Sequence, residues 1–329
     1  MISFERIPIE EFPWSELGKY ESANIFHTRN WIEFLADYYN LEPVVAAVKS
    51  NDQRVGFFTG LMTKKYGLRI LGSPFRGWNT FFMGFVLNPE VSYHDILQVF
   101  PEFVFNQLQC DFFMIVDLNI QEDDLKGLPY HVREVHNYEL DLTKSEEELL
   151  ASMENKYVRR AIRRAIKKGV VIEEANDPEF ADEYYAQYLE VMKRQSLSLL
   201  YGLDFVRQMI SRFRSSGNLL LLRARNTVGK FVATIIDFVY NKAAVGWGAA
   251  SWKQYQHLNP NELMIWYEMK KVKEMEAEVL NLEDMKKQFK QKFGAQRVPC
   301  LRIMKSRNPF VFYYAYAAVS LEERLKRHV

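Results

Sequence analysis

Cysteine is almost absent. Only Cys110 and Cys300 carry a thiol, far apart in a chain of 329 residues and in no CxxC spacing, so neither a disulfide framework nor a structural zinc site is expected. The six histidines are scattered, with no HExxH and no pair at helical spacing beside a carboxylate, and no metal is expected. Long apolar runs are missing as well. The longest uncharged stretch, Asn308 to Leu321, falls short of the ~20 residues a spanning helix needs. The start, MISFER, lacks the charged-then-apolar pattern of a secretory signal, so a soluble, cytoplasmic protein is the expectation.

Net charge is also lacking: 43 Lys+Arg against 42 Asp+Glu leave +1. The halves differ, however. Residues 1–137 hold 11 basic and 18 acidic side chains (−7), and residues 138–329 hold 32 and 24 (+8). A basic second half suits an anionic ligand, although solvated helix faces of opposite bias would give the same count. Apolar types at 48% and charged types at 26% are ordinary globular usage and exclude a disordered or fibrous chain.

Helix and strand signals alternate throughout. NWIEFLADYYN sets Trp31, Phe34, Leu35 and Tyr38 on one helical face. Residues 44–65 read as two strands joined at Ser50-Asn51-Asp52, a hairpin with polar turn chemistry. LRILGSPF is a short strand stopped by Gly72 and Pro74, Ser92 to Cys110 is helical, and FFMIVDLNI is a buried strand. In the second half HNYELDLTK is a strand. Ser145 with Glu148 three residues on has capping-box spacing, and one helix is expected to run unbroken from there to Gly169. GVVIEEA is a strand, Pro178 to Arg194 a helix, and residues 219–251 three strands. Asn259-Pro260-Asn261 opens a further helix. VLNLED (a strand), MKKQFKQKF (a short helix closed by Gly294) and RVPCLRIMK (a strand) follow. The order predicts an α+β fold with a mixed, mostly antiparallel sheet in each half.

Four places could carry chemistry. On the basic run from Lys156 to Lys168, Arg159 and Arg163 fall one turn apart, as do Arg160, Arg164 and Lys168, two columns of guanidinium and ammonium groups suited to phosphate oxygens. A solvated helix end complementing its dipole is the plain alternative. Trp247 stands between Gly246 and Gly248, where a ligand or another chain could approach the backbone, and the helix opened by Asn259 and Asn261 turns its free N–H groups toward that strand. Asp237, inside the apolar strand ATIIDFVY, is either a general base raised by burial or a structural carboxylate. Lys290, beside Phe289 on a short helix, could donate to a developing oxyanion, or be one more surface lysine.

Four segments, in one order, resemble the FemAB-like branch of the Gcn5-related N-acetyltransferase (GNAT) superfamily. YELDLTKSEEELLASMENKYVRRAIRRAIKKGV is similar to that branch's strand and Arg/Lys-rich helix, and LLLLRARNTVGKFVATIIDFVY to its central hairpin. LNPNELMIWYEMKKVKEM is similar to its Pro-x-x-Leu helix and FKQKFGAQRV to its Phe-Lys-x-x-Phe-Gly element. The resemblance implies two tandem GNAT-like domains, residues 1–137 and 138–329, the second carrying the acyl-transfer site. It implies an acceptor amine attacking an activated acyl carbonyl, with Phe289 and Lys290 placing and neutralising the tetrahedral oxyanion. The basic helix (Arg159, Arg163, Arg164) would then face a phosphate-bearing ligand.

Bacterial members act on cell-envelope precursors, with aminoacyl-tRNA or acyl-CoA as co-substrate and no bound cofactor. Two departures stand out. Between Ser251 and Asn261 there is no (Arg/Gln)-x-x-Gly-x-(Gly/Ala) loop, with which most coenzyme-A-binding relatives cradle pyrophosphate, and no lysine follows Trp31 closely. The resulting expectation is an N-acyltransferase acting on an amine of a cell-envelope or polysaccharide precursor. The rival is an inactive GNAT-fold module that docks tRNA or another anionic polymer on its basic helix. The aromatic, basic tail from Phe310 could touch a membrane, or form a buried final strand and terminal helix.

Overall fold

A computed structural model of the chain describes residues 1–65, 67–282 and 287–315. Its contacts divide the chain into two compact units, Met1–His136 with the stretch from Pro299 on, and Asn137–Val298. The first holds β1 (Ile2–Ile7), α1 (Arg29–Tyr39), β2 (Glu42–Ser50), β3 (Gln53–Lys65), β4 (Leu68–Ser73), β5 (Gly84–Leu87), α2 (Tyr93–Glu102) and β6 (Phe112–Asp117). β7 (His131–Asp141) leads into the second, which holds α3 (Glu146–Ser152), α4 (Arg160–Lys167), β8 (Val171–Glu174), α5 (Phe180–Gln195) and α6 (Leu203–Phe213). There follow β9 (Leu219–Arg225), β10 (Phe231–Tyr240), β11 (Ala243–Ser251), α7 (Pro260–Glu274), β12 (Val279–Leu282) and α8 (Lys287–Lys292). β13 (Gln296–Ser306) leads back.

In the first unit the sheet order is β1-β2-β3-β4-β6-β13, with β5 also on β3. The β2–β3 turn is the expected one. Asn51 and Asp52 both take positive φ, 47° and 65°, the backbone a two-residue hairpin needs to match strand twist. β4 and β6 run parallel, joined through α2. Phe100 of α2 is the centre of an aromatic core, its ring 4.9 Å from Phe58, 5.1 Å from Phe85, and 5.3 Å from both Phe4 and Phe113.

The second unit's sheet runs β7-β12-β11-β10-β9-β8, antiparallel except for β11 with β12. Val239 of β10 lies in the core that α7 covers, while its neighbour Phe238 meets Phe213 of α6 at 4.9 Å. Successive strand residues point to opposite faces, so α7 and α6 cover the two sides. Sequence reasoning had no place for α6, although Phe205, Val206, Met209, Ile210 and Phe213 carry the helical period and are all buried.

Two expectations are corrected. The helix from Ser145 is capped as expected, with Ser145 Oγ accepting Glu148 N–H and Glu148 Oε2 accepting Ser145 N–H, but it does not run to Gly169. Met153 is extended (φ −74°, ψ 146°), and a π turn at Asn155–Arg159 precedes α4. The break receives the end of α8: Glu154 N–H donates to the Lys292 carbonyl at 2.8 Å, and Gly294 lies against Ser152 where a Cβ would stand 2.6 Å from its Oγ. The second correction concerns the expected 138–329 domain. Leu301 to Ser306 of β13 pair with β6, and Leu301 and Ile303 fill the first unit's core, so this stretch completes the first unit.

After β13, residues 309–315 are helical, with Phe312 stacked on His131 at 3.5 Å and Phe310 exposed. The rest of the expected terminal helix or membrane-touching tail, 316–329, lies outside the described residues, as do residues 283–286 of the expected VLNLED strand and following helix. No helix among the described residues is long and apolar enough to cross a membrane.

Candidate active site

The second unit has one parallel pair among its described residues, β11 with β12. Its register runs Ala243–Val279 to Gly246–Leu282, and beyond Gly246 β11 continues to Ser251 with β10 as its ladder partner. Across β10 the register jumps from Asp237–Gly246 to Ile236–Gly248, so Trp247 is the extra residue of a β-bulge. Among the described residues β11 has no partner on the β12 side beyond Gly246, a fork at the carboxyl ends of two parallel strands, the place where open sheets with a parallel pair take ligands. Trp247 is buried among aromatic rings, 5.0 Å from Tyr201 and 6.0 Å from Phe205.

The flanking glycines admit the protein's own side chains. A Cβ on Gly248 would stand 2.4 Å from the Tyr184 hydroxyl, and one on Gly246 would stand 3.4 Å from Glu268 Oε1 and 3.7 Å from Asp237 Oδ1. Asp237 and Glu268 are both fully buried, and among the described residues neither carboxyl meets a hydrogen-bond donor outside the pair. Burial in low dielectric disfavours charge, which pushes Glu268 up to about 8, and burial beside Glu268 holds Asp237 well above the carboxylate range. Both shifts favour the protonated, uncharged carboxyls. Sequence reasoning found Asp237 and missed Glu268. The signal was there, since Glu268 falls in the stripe of Met264, Ile265 and Val272 on α7, where an unpaired charge has no business.

Lys290 is held inside the unit. It is 3% exposed, with its ammonium 4.8 Å from the centre of the Tyr138 ring, a cation–π contact that keeps a charge tolerable with little water. Phe289 is half-buried against the same core, its ring 5.1 Å from Phe293. The Phe-Lys pair therefore faces inward, unlike the surface lysine of the plain alternative.

The basic helix has two characters. Arg160, Arg163, Arg164 and Lys167 are exposed on α4, and among the described residues none makes an ion pair. Lys168 donates to the His257 carbonyl, which fastens the end of α4 beside the approach to α7. Arg159 belongs to the π turn, and its buried Nε meets no hydrogen-bond partner among the described residues. At the start of α7, Asn259 adopts a left-handed backbone (φ 56°) and its side chain does not cap the helix, while Pro260 takes the first position and Asn261 is half-buried. Within the second unit, then, the chain brings together a fork, an uncapped helix start and unneutralised cations.

Residues 154–291 match the family model of the acetyltransferase (GNAT) domain. No curated protein sequence matches the chain. Among solved structures, FemX superposes with a TM-score of 0.74 at 13% identity, over 94% of this chain and 99% of that one. The tandem GNAT protein from the clavulanic acid biosynthesis pathway gives 0.52 at 10% identity over 94% and 99%. The C-terminal domain of a putative lysylphosphatidylglycerol synthetase from Agrobacterium fabrum gives 0.54 at 13% over 94% and 96%. The fold is therefore that of the tandem GNAT proteins, with the matched segment lying in the second unit. Its second unit thus carries a match to the GNAT domain, and its fold is similar to that of FemX.

Proposed function

We propose that the protein forms an amide, moving an acyl or aminoacyl group from an activated carrier to an amine on a cell-envelope or polysaccharide precursor. The observation that carries the reading is the fork after Gly246, inside the segment matched by the GNAT domain. The edge of β11 beyond Gly246, which no described residue pairs on the β12 side, can pair with an extended, amide-bearing arm, as sheet edges do with added strands. Phosphates on that arm would meet the start of α7, with Asn259 and Asn261, and the guanidinium groups of Arg159, Arg163 and Arg164.

In the reaction the amine attacks the acyl carbon, the carbon–nitrogen bond forms, and the bond to the carrier breaks. The Lys290 ammonium neutralises the oxyanion of the tetrahedral intermediate and Phe289 walls it from water. Asp237, shut in with Glu268 under Gly246, supports the fork next to Trp247 and does not touch the substrate. The carrier is acyl-CoA or aminoacyl-tRNA. The unpaired cations of α4 suit either, and the missing glycine-rich loop favours the nucleic acid.

Thermal unfolding of the full chain with each carrier tests the choice, because a ligand that binds only the native state raises the midpoint. Lys290→Ala then separates an enzyme from an inactive docking module. Loss of an oxyanion donor is worth ~3 kcal/mol in the transition state, a roughly 100-fold fall in kcat with binding retained. Turnover that survives Lys290→Ala intact refutes the assigned role.

A further inference from the structure

The β4–β6 pair of the first unit is the counterpart of β11–β12 in the second: each is the parallel pair of its sheet, joined through a helix. The two forks end differently. In the first unit β4 stops at Ser73, the chain loops out, and it returns as β5 on the stretch of β3 that a longer β4 would have used. β4 pairs with Leu61–Lys65 of β3, and β5 with Gly56–Thr59. On the other side Met83 N–H donates to the Val116 carbonyl at 2.8 Å, the next step after the Ser73–Ile115 pair.

A side chain then takes over from the ladder. Asp117 Oδ2 accepts Phe85 N–H at 2.8 Å, and its Oδ1 accepts Asn119 N–H at 2.9 Å. Phe82, Met83 and Asp117 are all buried. Gly84 (φ 113°) presses against the carboxylate, where a Cβ would stand 2.2 Å from Oδ2, so no other residue fits without displacing the latch. In the second unit the described pairing of β11 with β12 runs to Gly246–Leu282, and among the described residues the buried acids Asp237 and Glu268 hold no backbone amide.

We propose that the first unit is sealed against an acyl donor by its own segment 82–85, latched by Asp117, so that each chain accepts one donor, in the second unit. The count of donors rests on reading the second fork as the donor site; the seal does not. In the native chain, the Met83 and Phe85 amides should exchange hydrogen as slowly as that of Met114 on β6. Asp117→Ala should speed both by about tenfold or more, as expected when a charge-assisted hydrogen bond is lost, and leave Ile236 of the second unit unchanged. Asp117→Asn, which keeps one acceptor, should give a smaller rise and serves if the alanine variant does not fold. Wild-type exchange at Met83 and Phe85 as fast as at the exposed Gly77 overturns the seal. Titration with acetyl-CoA should give one site per chain, retained in the Asp117 variants. Two sites in the wild type, or one site abolished by Asp117→Asn, overturns the proposal. Absence of acetyl-CoA binding counts against coenzyme A as the donor carrier, and the exchange rates then decide the seal alone.

Discussion

Two carboxyl groups closed off from water set the most testable property at the scale of single residues. Asp237 and Glu268 have folded-state pKa values above their unfolded ones, so the native chain holds protons that the unfolded chain releases. Stability contributed by the pair is therefore greatest at low pH. It declines as pH rises from about 4.5, the ordinary glutamate value, through about 8. Asp237→Asn keeps the shape and the neutrality of the protonated acid. It should cost no more than about 1 kcal/mol at neutral pH and flatten this decline in urea melts, whereas Asp237→Ala should cost roughly 1–3 kcal/mol. Asp117 behaves alike over a narrower window. Burial pushes it up to about 6 despite the amides it accepts, so its contribution falls between about 4 and 6. Of the site's residues, sequence alone gave identities and spacing. It could not give the enclosure of Lys290 or the partner of Asp237, because both depend on strands and helices distant in the chain.

Among the elements, short-range chemistry was legible and long-range docking was not. Asn51-Asp52, the Ser145–Glu148 box and Gly169 (φ 72°) act within a few residues and behave as read. The interruption between α3 and α4 answers to Lys292 and Gly294, which no local pattern announces. β5 escaped notice because it is four residues long and completes another strand's line. The exposed cations of α4 give a prediction at this scale. Arg160→Ala with Arg163→Ala should weaken binding of a phosphate-bearing donor and flatten its salt dependence, measured by titration at several ionic strengths. A salt response equal to the wild type would return α4 to a solvated helix face. In the other unit, Phe100→Ala should cost about 3–5 kcal/mol in urea unfolding, because the ring it removes contacts five others.

Considered as a whole, the chain is a unit within a unit: Asn137–Val298 interrupts the first, which resumes at Pro299. The resemblance implied a division near residue 137, and composition gave no hint that the end of the chain returns. A chain ending at Val298 should keep the second unit and lose much of the first unit's stability, because β6 then lacks β13 and the core lacks Leu301 and Ile303. Limited proteolysis should cut such a chain first within residues 1–136, and an intact first unit would contradict the strand's role.

That return has a consequence for biosynthesis. The first 136 residues leave the ribosome without their last strand, and at ~5–20 residues per second the wait for β13 is roughly ten to thirty seconds. Throughout it β6, apolar from Phe112 to Val116, stands as a bare flank open to a neighbouring nascent chain, while the inserted unit can already mature. The half made first is finished last.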